Sequence, residues 1–549
     1  MNTRRVVAFL FSGVLLAAGG LAQEAHAHHG ESEILGTVRF PISCGEPVRP
    51  AFTRAVAILH SFGYEDARDA FAAVAAQEPG CGMASWGVAM TYYHPIWAPP
   101  SPAELAAGRA AAERASAAGA RTEREQAYIA AIGAFYRDSE KLDHRTRALA
   151  YSKAMEELAL RWPDDHEASI FYALSLLATA PPADATFANQ KKAAGILNAL
   201  LQKEPQHPGV AHYLIHAFDY PSLASLALPA ARSYSKIAPS SPHALHMPSH
   251  IFTRLGLWQE SIESNLASAD AARRRVAKAH PGAASFDALH ALDYLEYAYL
   301  QIGEEAKARG VLEEAATARS FDEPSFAAGY ALAAIPARFA LERRRWQDAM
   351  NLEPPKAELP WERFSYSMAI TSFAQTVGAA RSGQTERARS ALSRLEEIHA
   401  GLVKSPIAGP YDWAGQVESM RLAAAAWVTL AQGRKEEALA LARSAADLEE
   451  RIGKHPVTPG SVLPARELLA DMLRENGRPA DALVEYETDL REAPNRWNGL
   501  FGAARSAELA GDLGKARQFY AKLLENGAGR SGDREDIKQA RDFLARAKS

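Results

Sequence analysis

Along most of the chain, apolar residues return every three or four positions with charged residues between them, the period of an amphipathic helix. In "YEDARDAFAAVAAQEPG" the apolar line runs through Ala67, Phe71 and Val74. Stretches such as "AAGRAAAERASAAGA" and "MRLAAAAWVTLAQG" combine Ala, Leu, Glu and Arg, the strong helix formers. No long run alternates β-branched and polar residues as a half-buried strand would. At most, "EILGTVRF" forms one short extended element. The pattern predicts an all-α protein.

The helices repeat. Ala482, Tyr486 and Pro494 in "RPADALVEYETDLREAP" have the small–aromatic–proline spacing of Ala67, Phe71 and Pro79. Ala516 and Tyr520 follow at 516 − 482 = 34 and 520 − 486 = 34 residues, a period typical of stacked helical hairpins. Weaker copies begin at Gly303 (with Ala308 and Leu312), Gly383 (Ala388, Leu392) and Gly433 (Ala438, Ala442). From these motifs, most of residues 48–547 resembles the tetratricopeptide-repeat (TPR) family. That resemblance implies a tetratricopeptide-type α-solenoid, each hairpin burying its apolar face against its neighbours. Proline-rich interruptions at "NLEPPKAELPWERF" and "VKSPIAGPYDW" suggest a division into an N-terminal solenoid, 48–355, and a C-terminal one, 356–549.

Candidate chemistry enters through histidine. Pro205 and Pro239 close successive hairpins at 239 − 205 = 34, and the same offset carries His212 onto His246 and His216 onto His250. Each pair is spaced i, i+4, so its members share one helix face. The family resemblance implies that the first helix of each hairpin lines a concave groove through positions two, five, nine, twelve and thirteen. Counted from Pro208 and Pro242, the four histidines take positions five and nine. His243 takes position two and Asp219 position twelve. In the following repeat His290 falls at position two and Asp293 at position five. Imidazoles bind Zn, Cu, Ni or Fe through one nitrogen, and a carboxylate can complete the shell or orient an imidazole. Pro248 lies inside "HALHMPSHIFTR" and either aims these rings inward or separates them. Trp86, Met90, Tyr93 and His94 fall on groove positions one repeat after Pro79 and suggest an aromatic ligand-binding wall, or else core packing.

Composition adds bounds. A net charge of −4 without a long basic run gives no reason to expect nucleic acid. "MNTRRVVAFLFSGVLLAAGGLAQEAHAHHGE" has a basic start, an apolar run and small residues, as a Sec-type signal peptide does. Cleavage after Ala22 or Ala27 would send residues 28–47, an extension, and the rest of the chain to the periplasm or outside the cell, with no stable membrane span. In an exported chain the two cysteines, Cys44 and Cys81, suggest one disulfide.

No nucleophile elbow, phosphate loop, dinucleotide fingerprint or H-E-x-x-H motif occurs. The sequence therefore predicts a binding protein: an exported solenoid holding a transition metal, or a small ligand or partner, at a histidine-rich groove. Its alternatives are a protein or peptide scaffold without metal, and a metal-dependent hydrolase or oxidase. "HALHMPSHIFTRLG" resembles segments of exported bacterial TPR proteins of no assigned activity, which implies a shared site and supplies no reaction.

Overall fold

An Ala-rich amphipathic helix buries one stripe only, and each such helix here packs on its chain neighbour. The computed structural model describes residues 33–96, 99–182, 184–407, 409, 411–527 and 534–546, so the expected signal peptide lies outside the described residues. Among them the secondary structure is helical, with a single isolated bridge, Ala284 to Phe321, in place of any sheet. Hairpins follow one another: Arg49–His60 with Tyr64–Gln77, Phe286–Gln301 with Glu305–Ala315, Trp413–Ala431 with Lys435–Ile452, Trp497–Leu509 with Leu513–Asn526. This is an all-α solenoid of tetratricopeptide-like hairpins. No described helix is long and apolar enough to cross a membrane.

The hairpin turns need left-handed backbone. Gly433 has φ 81°, and the following Arg434 N–H reaches back to the Thr429 carbonyl at 3.2 Å, closing the helix in a Schellman-type turn. Gly256 serves the same purpose at φ 64° and has a second constraint, because a Cβ there would lie 2.3 Å from the Pro494 carbonyl oxygen.

That approach belongs to a long-range closure. Trp258 Nε1 donates to the Asn495 carbonyl at 2.9 Å, and Asn526 Nδ2 donates to the Gln301 carbonyl at 2.8 Å. Arg496, fully buried, bonds Glu342 at 2.7 Å, Glu467 at 3.1 Å and the Tyr297 hydroxyl at 2.8 Å. The last hairpins thus return onto the middle ones.

"EILGTVRF" is extended without a strand partner. Its Ile34 N–H donates to Ser240 Oγ at 2.9 Å and its Thr37 N–H to the Gln206 carbonyl at 2.8 Å. Gln206 and Ser240 are repeat-equivalent turns (240 − 206 = 34), each just ahead of a histidine-bearing helix. Farther along, Cys44 joins Cys81 in a disulfide with Cα atoms 5.4 Å apart.

The same segment corrects the expected aromatic wall. Phe40 packs on Trp86 with ring centroids 5.3 Å apart, while Tyr93 meets Phe135 at 4.3 Å and Tyr151 at 4.9 Å. Trp86, Met90 and Tyr93 are therefore core residues, at most 2% exposed. His94 is half-buried with its ring against Tyr64 at 4.6 Å. Trp86, Met90 and Tyr93 therefore do not line an open groove wall.

Candidate metal centre

The two histidine helices begin where the prolines set them, Pro208–Phe218 and Pro242–His246, each with proline in its first turn. Ser241 Oγ caps the second by accepting from the Ala244 N–H. Pro248 interrupts it, and a new helix runs Pro248–Arg254. Met247 between them keeps helical dihedrals of −53° and −34°, so the chain breaks a hydrogen bond without losing direction. The third contributor, Phe286–Gln301, is capped by Ser285.

Six of the predicted residues converge, in two sets of three. His212, His216 and His243 form one triad; His246, His250 and His290 form the other. Within each, the candidate ligand atoms all lie within 4.8 Å of one another. In the first, His212 Nε2 stands 3.0 Å from Nε2 of both His216 and His243. In the second, His246 Nε2 stands 3.0 Å from His250 Nε2. Two nitrogens bound to one ion at about 2.0–2.1 Å stand about 2.8–3.4 Å apart for bond angles of about 90–109°.

The opposite ring nitrogens fix the tautomers. His212 Nδ1 is 2.7 Å from the His60 carbonyl, which can only accept, so the proton sits on Nδ1. His246 Nδ1 donates to Asn265 Oδ1 at 2.7 Å, and the Asn265 amide is oriented by its own Nδ2 donating to the Ser261 carbonyl at 2.7 Å. His250 Nδ1 donates to Asp219 Oδ2 at 3.1 Å. Nε2 of His212, His246 and His250 therefore carries a bare lone pair. Two of these lone pairs, on His246 and His250, face each other. A proton between them would relieve the repulsion, but burial lowers the proton affinity of both rings, with the His250 imidazole adding to the effect for His246 and the Asp219 carboxylate opposing it for His250. His212, His216, His243 and His290 are likewise held far below the ordinary histidine range, first by burial and then by the surrounding rings. Buried Nε2 of His290 has no hydrogen-bond partner at all. Neutral imidazoles with converging lone pairs are what a transition ion needs.

The two carboxylates proposed for this site stand apart from the ligand atoms. Asp219 lies behind His250 and is itself held by Arg254 at 2.9 Å and Lys454 at 3.1 Å, so it orients an imidazole. Asp293 turns to the fully buried Arg338 at 2.6 Å, which Glu296 shares at 3.1 Å. An unpaired guanidinium there would cost several kcal/mol, and that ion pair removes Asp293 from the ligand set.

Several contributors carry no signal in the sequence. Asn265 comes from the neighbouring helix Trp258–Ala279. Phe62, in a left-handed turn at φ 56°, places its ring 4.4 Å from His212, 5.6 Å from His216 and 5.7 Å from His243. Residues 454–460 cross the site from far along the chain: Lys454 reaches Asp219, and Tyr294, whose ring stacks on His250 at 4.9 Å, donates to the Thr458 carbonyl at 3.0 Å. Lys454 also lines a cavity of about 30 Å³ with Tyr330, Tyr411, Trp413, Glu449 and His455. The face expected to be an open groove is thus covered over the second triad, whereas His216 and His243 of the first are only partly buried.

A third group, His60, Glu167 and His207, is close enough to hold an ion. Its carboxylate already takes both imidazoles, His60 Nε2 and His207 Nε2, each at 2.9 Å. His60 Nδ1 meets the Tyr213 hydroxyl at 2.9 Å. Both carboxylate oxygens are thus taken within a buried hydrogen-bond chain, which leaves only His207 Nδ1 without a partner, and the same His60 offers its carbonyl to His212.

No family model and no curated protein matches the sequence. Solved structures of similar build include yeast Tom70, at 9% identity over 92% of this chain and 96% of that one, with a TM-score of 0.33. The APC/C hetero-tetramer Cut9–Hcn1 matches at 12% identity over 92% and 97%, TM-score 0.30. Naa15/Naa10 bound to HypK-THB matches at 13% over 91% and 74%, TM-score 0.23. Likeness at this level carries no function across, and the reading of the site rests on its own geometry.

Proposed function

We propose that this protein is an exported solenoid that binds a transition metal through its central histidines. One observation carries the reading: His246 and His250, buried and neutral, aim bare Nε2 lone pairs at each other across 3.0 Å. As an uncharged pair they repel, and a cation between them turns the repulsion into two bonds. The second triad supplies three nitrogens and no anionic ligand, a donor set suited to Zn, Cu, Ni or Fe. The leader-like first residues support export.

The test is elemental analysis of protein purified without a His tag, followed by thermal unfolding with Zn(II), Cu(II), Ni(II) or Fe(II) added. Bound metal at or above one equivalent is expected, with unfolding shifted upward by added ion. Folded protein that carries no metal, and whose unfolding no ion shifts, would remove this reading. That outcome would favour a second one. Stacked hairpins present extended surfaces to protein partners, and a solenoid whose histidines serve only as internal hydrogen-bonding groups would be an interaction scaffold.

A further inference from the structure

The two triads are built by one rule. Each takes positions five and nine of one histidine helix and position two of the next: His212, His216 and then His243; His246, His250 and then His290. The rule holds although the third helix follows the second at a different chain distance from that separating the first two. In both, the ring nitrogens of the i, i+4 pair stand 3.0 Å apart. In both, the position-five histidine has its Nδ1 proton taken by an oxygen supplied from outside its helix, the His60 carbonyl or Asn265 Oδ1. A repeat protein has here repeated a coordination set.

We propose that the protein holds two metal ions, one in each triad, and that both sites fill with monovalent copper. The proposal rests on the metal-binding reading above. The triads lie between successive pairs of helices, so their ions stand apart by on the order of one helix spacing, about 8–10 Å. Charge then selects the ion. All six ligands are neutral. The nearest carboxylate, Asp219, is matched by two cations, Arg254 and Lys454, while Asp293 and Glu296 face Arg338. No surplus negative charge awaits the metals. Repulsion between two ions scales with the product of their charges, so a divalent pair repels four times as strongly as a monovalent pair. Three imidazoles alone satisfy Cu(I), which keeps its full ligand set here and brings one charge per site.

Anaerobic titration of the full chain with Cu(I) from a weak competing chelator tests this beside a Zn(II) titration. Two Cu(I) equivalents of similar affinity are expected. For Zn(II), one tight equivalent and a second at least tenfold weaker are expected. His216→Ala and His290→Ala should each retain one Cu(I) equivalent with helix content unchanged. A wild-type stoichiometry of one Cu(I) would overturn the two-ion proposal and leave the metal-binding reading standing. Two Zn(II) ions bound with equal affinity would overturn the charge argument. No metal of either kind would overturn this proposal, and the absence of Ni(II) and Fe(II) binding as well would overturn the metal-binding reading. Because the wild-type stoichiometry decides, a variant that fails to fold leaves the test intact.

Discussion

Asn265 is the sharpest place to test whether the histidine geometry is built for an ion. Its Oδ1 accepts the His246 Nδ1 proton at 2.7 Å, and its Nδ2 is engaged by the Ser261 carbonyl, so the amide has one orientation and the imidazole one tautomer. Asn265→Leu removes that acceptor. In the metal-free protein the consequence is small, because the proton can move to Nε2 and point at the bare Nε2 of His250, 3.0 Å away. The loss should fall at the low end of the roughly 1–3 kcal/mol for an unsatisfied buried group. The new tautomer, however, occupies the atom that would bind metal. Affinity should fall by about 10–100-fold, the usual effect of losing an outer-layer partner, equivalent to about 1.4–2.7 kcal/mol. Calorimetric titration with Zn(II) of wild type, Asn265→Leu, His246→Ala and the double variant measures it. Because Asn265 acts through His246, its substitution should change nothing further once His246 is gone. Unchanged affinity in Asn265→Leu, or an equal loss in the His246→Ala background, would refute the tautomer argument.

Three further outcomes follow from parts of the fold away from the triads. Cys81→Ser opens a loop of 37 residues, and the loop-entropy relation puts the loss at about 3–4 kcal/mol; chemical denaturation should show the shift, and reducing agent should reproduce it in wild type alone. Gly256→Ala forces a side chain into φ 64° against the Pro494 carbonyl, so the closure should loosen and the melting temperature fall by several degrees; an unchanged melting curve would mean the last hairpins do not latch there. Glu467 is pushed up to about 7, first by burial, with Arg496 opposing and Glu342 adding. Its folded value lies above the ordinary 4.5, so it costs nothing below pH 4.5 and destabilises increasingly as pH rises to about 7, by on the order of 3 kcal/mol. Glu467→Gln should therefore raise the melting temperature at pH 8 and leave it unchanged at pH 4, and equal shifts at both would contradict the assignment.

What the chain reveals before folding follows its periodicity. The 34-residue offset finds the histidine pairs because repeat position and helix face are both local properties. The helix register, counted from Pro242 and from the Gly303 and Ala308 anchors, places His243 and His290 at position two, within reach of the others. The division of six rings into two triads depends on which neighbouring helix each ring leans toward, and only packing decides that. Asp293 shares a register with the histidines, yet Arg338, some 45 residues on, claims it. Trp86, Met90 and Tyr93 occupy groove positions by count, but Phe40 of the N-terminal segment packs on Trp86 while Tyr151 reaches Met90 and Tyr93, and no periodic signal announces a segment that is not part of the repeat. Lys454 is more remote still, 235 residues from Asp219.

Pro248 bears on whether the second triad is a deformed copy of the first. The equivalent residue one repeat earlier is Leu214 (248 − 34 = 214), inside an unbroken helix. If proline aimed the rings, the two i, i+4 pairs would differ in spacing; both have Nε2 atoms 3.0 Å apart. The reason is Met247, whose dihedrals stay helical, so the turn carrying His246 to His250 is kept although the hydrogen bond at 248 is not. The pair spacing therefore comes from the helical turn, and what distinguishes the triads is their surroundings. His212 leans on a backbone carbonyl that no substitution of its own residue can remove. His246 leans on the Asn265 side chain, and His250 on a carboxylate shared with Arg254 and Lys454. Single substitutions should thus detune the second site far more readily than the first.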